Sequence, residues 1–508
     1  MPEKALKGGF MDCKSEIHIE EKIKTPPRLS LDSLSPGERL DTDIRKWRKS
    51  KTLPSGVTSR GLYRDIGIIA WPAMLELFLN HAASMADQMM VGRLGTWAIS
   101  AVGLSTQPRF LLISTVMSIN VGATAMVARF KGAGDRERAN NILRQAILLN
   151  LFIAIFVSTL FYIFAGPIIK FMGAEDGLVL LEATKYLKIQ AAGFITVSLT
   201  STVTAVLRGV GNSRAALIYN MTANVVNVFS NWVLIYGNLG APSLGVVGAS
   251  LATVIGQASA MIMSLIVISR KNAYLCLSLK GLKPDREALA QITSIGIPVM
   301  IERVVMRVGM VAYSKMIASL GTVMLATHQI CSNVMQFSFV IIEGCQVSVT
   351  SLIGQSIGKK RSDMAQAYSI RCRRAGMSLA VVTGLIFFFG ARLLISLYLD
   401  ANDPDRDIVL ENGVRILRLL ALYQPFQASQ FILGGVLRGA GDTKATAIIY
   451  LITVMIVRPA TAALFIYVFE WGLLGGWLSM GFDQFLRYLL VLLRFNSGKW
   501  IYAVKMRE

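Results

Sequence analysis

From about residue 66 to residue 494 the apolar positions fall in long runs separated by short polar links. A run of roughly 20 residues crosses a bilayer as one helix. Twelve such spans are predicted, near 66–92, 98–128, 142–168, 182–206, 215–236, 243–269, 289–318, 322–356, 370–397, 411–436, 443–468 and 472–494. Several exceed the minimum, so tilt or protrusion from the bilayer is expected. Span 1 departs most from a plain apolar run, because it carries Glu76, Asn80 and Asp87. At 3.6 residues per turn, these positions fall on one stripe of a helix. An acid facing lipid costs several kcal/mol, so the stripe is predicted to line a polar pathway.

The ends read differently. Residues 1–60 are polar, mixed in charge and dotted with Pro and Ser, with no apolar stretch of the kind that heads a signal peptide. A disordered cytoplasmic tail is expected there. An N-terminal six-helix lobe is expected over 61–280, and a C-terminal lobe with a short cytoplasmic tail over 281–508.

Composition agrees with a polytopic membrane protein: 53% hydrophobic, 16% charged, mean hydropathy +0.52. The net charge of +21 does not signal nucleic-acid binding, because the bases sit in alternate links. The 2–3 link carries Arg129, Lys131, Arg136 and Arg138; the 6–7 link Arg270, Lys271, Lys280, Lys283 and Arg286; the 8–9 link Lys359, Lys360 and Arg361. The 9–10 link is acidic instead, with Asp400, Asp403, Asp405 and Asp407. This asymmetry predicts both termini in the cytoplasm of a multi-pass inner (plasma) membrane protein. Cys13, Cys276, Cys331, Cys345 and Cys372 are scattered without CxxC spacing, and His18, His81 and His328 form no cluster. No phosphate-binding loop, zinc-protease helix or serine-nucleophile elbow is present in the sequence, so neither an enzyme nor a bound cofactor is expected.

The chain repeats itself. VLRGVGNSRA at 206–215 returns as VLRGAGDTKA at 436–445. Pro72 answers Pro298, Glu76 answers Glu302, and Asn120 answers Gln346, each 226 residues apart. Each repeat holds an even number of spans, so the halves insert the same way up. The expected architecture is all-α, with two parallel six-helix lobes and a V-shaped central cleft.

Together with these repeats, ADQMMVGRLG around Asp87, LATHQI at 325–330, SLIGQSIG at 351–358 and Arg458-Pro459 resemble the MATE (multidrug and toxic compound extrusion) transporters, most of all their prokaryotic DinF-like branch. The resemblance covers about 66–494. It implies a monomeric secondary exporter that moves amphipathic, often cationic small molecules against an inward H⁺ or Na⁺ gradient by alternating access, with membrane lipid as its surroundings. It also implies an ion site inside the first lobe. The family's site residues fall on Asp87, Asn227, Asn231 and Thr253, with Asn231 standing where the family has Asp and Ala83 where it has Tyr. The family's Na⁺ site is therefore not carried over intact. Rival readings are a lipid-linked saccharide flippase of the same superfamily, which wants a strongly cationic cleft, and a membrane enzyme or channel.

On their own terms, Asn227 and Asn231 are four apart and share a face of span 5. One carboxylate beside neutral oxygens suits a proton or a hard monovalent cation, at most Na⁺ at Asp87. Glu76 lies about 16 Å along the axis from Asp87, too far for a shared site. Glu302, Glu343 and Asp483 are further intramembrane acids, with Arg109 and Arg458 as expected counter-charges. Asn80, Asn120 and Gln346 are candidate substrate-cleft residues. The Met and Phe content of spans 1, 7 and 8 suits either a promiscuous apolar pocket or ordinary packing.

Overall fold

The computed structural model describes residues 53–54, 57–174, 177–269, 274–277, 283–399 and 404–503. Twelve long helices are present among the described residues: α1 (Ser59–Gly92), α2 (Thr96–Ala133), α3 (Arg136–Ile163), α4 (Leu178–Gly209), α5 (Ser213–Tyr236), α6 (Gly245–Ser269), α7 (Arg286–Ala318), α8 (Thr322–Gly358), α9 (Ser362–Ser396), α10 (Arg406–Ala440), α11 (Thr443–Val468) and α12 (Gly472–Asn496). They match the twelve predicted spans, most of them longer at the ends.

Eight of these helices contain a stretch long and apolar enough to cross a membrane by length and composition. The other four are α5, α7, α10 and α12. Each carries polar or charged side chains that point inward, such as Asn231, Glu302, Arg438 and Asp483, all buried. Polar groups inside a helical membrane protein face one another rather than lipid, so these helices are polar because they line the interior.

The repeated LRG-x-G-[ND] motif ends one helix and starts the next. Gly211 and Gly441 sit at φ +81° and +87°, a left-handed conformation that closes a helix and that side chains with a Cβ resist. The next residue, Asn212, accepts from Ala215 N at 3.3 Å and caps α5. Its mate Asp442 instead accepts from Arg494 of α12 at 2.7 Å.

α1–α6 and α7–α12 form two lobes. Across the interface α1 packs on α8, α7 on α2, and α2 on α8, a pattern that maps onto itself when the halves exchange. The contact is tightest at the end bearing the α2–α3 and α8–α9 links. There a Cβ on Gly132 would overlap the Gln355 carbonyl, and one on Gly358 would overlap the Arg129 carbonyl. Both pairs are repeat mates. Glycine lets the two backbones touch, as small residues do between membrane helices. Polar links reinforce this end. Ser351 Oγ and Gln355 Nε2 both donate to Gly209 O at 3.0 Å, Ser348 Oγ to Ile66 O at 3.1 Å, and Tyr368 Oη to Asp65 at 2.6 Å. Two motifs singled out in the sequence, SLIGQSIG and LRGVGN, thus meet here.

The tail expectations change at both borders. Leu53 and Val57 pack against a core cluster formed by the start of α1 and the second lobe, and Thr58 caps α1 by accepting from Gly61 N at 3.2 Å. The remainder of the expected N-terminal tail lies outside the described residues. At the other end, the chain folds back so that the buried Trp500 stacks on Phe495 with ring centroids 5.5 Å apart. The rest of the expected C-terminal tail, 504–508, lies outside the described residues.

Candidate functional site

Away from the glycine-packed end the lobes part around a cavity of about 710 Å³. Its walls come from both lobes, and α1 and α5 build one of them. These helices run side by side in the same direction, and a ladder of amides joins them at one constant spacing. Asn220 donates to Glu76 at 2.7 Å, Asn224 to Asn80 at 2.7 Å, and Asn231 to Asp87 at 2.5 Å. A stripe on one parallel helix reads a stripe on the other, rung by rung.

At the last rung all four expected ion-site residues meet. Asn227, with its amide turned so that both ends are satisfied, donates to Asp87 Oδ1 at 2.9 Å and Oδ2 at 3.3 Å and accepts from Thr253 N at 3.2 Å. Gly256 makes this possible, because a Cβ there would press on Ala223 O and on Asn227 at 2.7 and 2.8 Å. Asp87 is half-buried, and Asn227 and Asn231 are buried. Asp87 makes no ion pair among the described residues, though Arg109 lies within electrostatic reach. The carboxylate is therefore held by neutral donors that need not move if it binds a proton.

Deeper in the cavity, the other acids have different fates. Glu76 is 3% exposed and pairs with Arg208 at 2.8 Å. Glu302 pairs with Arg438 at 3.1 Å and is 2% exposed. Both arginines belong to the repeated LRG motif, so each lobe has an equivalent Glu–Arg pair. Glu343 lies in the cavity wall and makes no ion pair among the described residues. Arg303 lies there too, and Arg307 sits over the Phe110 ring at 3.7 Å.

Asp483 stands apart from the cavity wall. It is fully buried between Arg458, at 2.9 and 2.5 Å, and Arg487, at 2.6 Å. Two guanidiniums already satisfy it, so it is part of the second lobe's framework. Arg458, expected as a counter-charge to the intramembrane acids, pairs with this one. Asn120 lines the cavity, but its amide is engaged, donating to Ser201 at 3.2 Å and accepting from Asn150 at 2.9 Å. Asn80 and Gln346 face the cavity as expected. Sequence reasoning missed Asn220 and Asn224, although the spacing Asn220, Asn224, Asn227, Asn231 traces one helical face. It also missed Arg208 and Arg438 as partners of the two glutamates, for which no local signal exists.

The family model for MatE matches residues 72–233 and 298–464. Its two segments begin at Pro72 and Pro298, the repeat mates. A probable multidrug resistance protein NorM of Thermotoga maritima is 29% identical over 434 residues, covering 85% of this chain and 92% of that one. An uncharacterized transporter YisQ of Bacillus subtilis is 26% identical over 434 residues, covering 85% and 94%. Among solved structures, a MOP superfamily transporter from Pyrococcus furiosus has a TM-score of 0.80 at 19% identity, covering 89% of this chain and 99% of that one. A MATE in the bent conformation matches with the same TM-score and identity over 88% of this chain. At that identity the structural likeness speaks for the fold.

Proposed function

Because this chain belongs to the MatE family of membrane transporters, we propose that it exports amphipathic small molecules by antiport with H⁺ or Na⁺, through alternating access of the cavity between its lobes. The observation that carries this reading is the Asp87 cluster, a carboxylate at the edge of the cavity held by two uncharged amides, Asn231 and Asn227, the second of them backed by Thr253. Uptake of a proton or monovalent cation there changes the net charge of the first lobe by one. Such a change biases one arrangement of the lobes over another.

The cavity supports an amphipathic substrate. Phe110, Met117, Met306, Met310, Phe339 and Phe431 line it, and flexible Met and aromatic faces accept varied apolar bodies. A cationic group on the substrate has Asp87 and Glu343 available, the two cavity acids that no arginine holds. Substrate and coupling ion then compete for charge at Asp87, which is the requirement of antiport. The loop-charge asymmetry orients the glycine-packed end and both termini toward the cytoplasm of the plasma membrane, leaving the cavity to face outward. One chain supplies both lobes that wall the cavity, in keeping with a monomer.

The test is transport into vesicles containing the purified chain, with an H⁺ or Na⁺ gradient imposed in turn. Substrate accumulation driven by one gradient and abolished by its collapse is expected. Accumulation that ignores both gradients overturns the antiport reading.

A further inference from the structure

Two motifs from the sequence, LATHQI and Arg458-Pro459, take no part in the cavity. The fold brings them together inside the second lobe. His328 lies between Tyr313 and Trp477, with ring centroids 5.7 and 5.3 Å away. The Arg458 guanidinium stands 6.0 Å from the Tyr313 ring centroid. Tyr423 belongs to the same buried cluster as Tyr313 and Trp477 and lies in the electrostatic field of Tyr313, Arg458 and Asp483.

The donors in this cluster are unspent. Tyr313 Oη, Tyr423 Oη and Trp477 Nε1 are buried without a hydrogen-bond partner among the described residues, as is His328 Nδ1. The three donor side chains are 3%, 6% and 0% exposed. A buried hydroxyl or indole N–H left unpaired costs about 1–3 kcal/mol, and three in one cluster is not the statistics of a packed core.

The charge is also unbalanced. Asp483 is shared by Arg458 and Arg487, all three buried. That leaves one positive charge uncompensated inside a membrane lobe. Glu302, the next acid, is already paired with Arg438. Arg487 is spent on Asp483, on Thr453 Oγ1 at 3.0 Å and on the Tyr450 ring. Arg458 gives Nε and one terminal nitrogen to Asp483, and its guanidinium carbon stands 6.0 Å from the Tyr313 ring centroid. The backbone widens to π-helix on either side of it, over Leu451–Val457 and Leu464–Val468. Pro459, lacking an N–H, explains a break in α-helical register there.

We propose that this cluster is a binding site for a small monovalent anion of the halide class, held by Arg458 and by the Tyr313, Tyr423 and Trp477 donors. Water would satisfy the donors but leave the charge; an anion satisfies both. The site lies apart from the cavity and needs no substrate.

The experiment uses the full-length protein purified in detergent. Melting temperature is measured against chloride or bromide at constant ionic strength, with gluconate as the large-anion control. A saturable rise with halide and none with gluconate is expected. Tyr313→Phe/Tyr423→Phe should move the midpoint at least tenfold higher, while Phe110→Ala, in the cavity, should not move it. Crystals of the unmutated protein grown in bromide should show anomalous scattering beside Arg458, which keeps the test open if a variant fails to fold. Identical melting in halide and gluconate, an unchanged midpoint in the double variant, or ordered water alone at Arg458 overturns the proposal.

Discussion

Arg208 reaches across the first lobe to Glu76, 2.8 Å away, and its repeat mate Arg438 does the same to Glu302 in the second. The LRG motif thus serves two purposes. Its glycine ends a helix, and its arginine neutralises the acid of the lobe's first helix beside the cavity. Removing one partner leaves a buried charge alone, which costs about 3–5 kcal/mol. Arg208→Gln should therefore lower the melting temperature sharply, and the double variant Glu76→Gln/Arg208→Gln should recover most of the loss. Equal melting of the single variant and the unmutated protein would show that the pair is dispensable.

Asp87→Asn keeps size and hydrogen bonding but fixes the charge at zero. Ion-driven transport should fall at least tenfold while melting changes little. Asn231→Asp places a second carboxylate about 2.5 Å from the first. Two acids so close share a proton, so the pH profile of transport should shift to higher pH. If Asp87→Asn transports normally and Glu302→Gln does not, coupling resides in the second lobe.

Gly358→Ala pushes a methyl group into the Arg129 carbonyl, and Gly132→Ala does the same to Gln355. Neither carbonyl can move without its helix. Both variants should loosen the closed end, seen as faster thiol labelling of a cysteine introduced at Gln355, with transport reduced several-fold. Unchanged labelling would mean the lobes absorb the methyl group elsewhere.

Asp285 caps α7 outside the membrane. The Asn141 amide at 2.6 Å, helped by the Glu287 and Ala288 N–H groups, holds its carboxyl below the usual carboxylate range. With its pKa lower in the folded state, its contribution is present at neutral pH and is lost as pH falls through the carboxylate range near 4. Melting curves taken between pH 7 and pH 3 should show a smaller acid loss for Asp285→Asn than for the unmutated chain.

Span number, the repeat and the polar stripe of α1 were legible because helical periodicity and charge placement are local properties. The Asp87 cluster was legible through a resemblance, and the offset between α1 and α5 then set the remaining rungs. The partners of Glu76 and Glu302 were not legible. Arg208 stands 132 positions from its acid in the chain, and only the packing of α4 against the cavity brings them together. The pair of arginines around Asp483 was not legible for the same reason. An acid in an apolar run looks alike whether it faces a cavity or two arginines. The short α5 and the charged α7, α10 and α12 show the rule from the other side, since their weak hydropathy reports an interior position.

The Gly132 and Gly358 contacts are related as the two halves of a homodimer interface are, one patch meeting its own image. In this chain both copies are covalently joined, so each is free to differ. The first copy keeps its acid and its arginine balanced and presents a carboxylate on neutral amides. The second has acquired a surplus of guanidinium in its interior. A symmetric pair of subunits would have to carry both features twice or neither. Fusion lets one scaffold hold a titratable acid on one side of the axis and a fixed positive charge on the other, a division of labour that the shared backbone alone does not reveal.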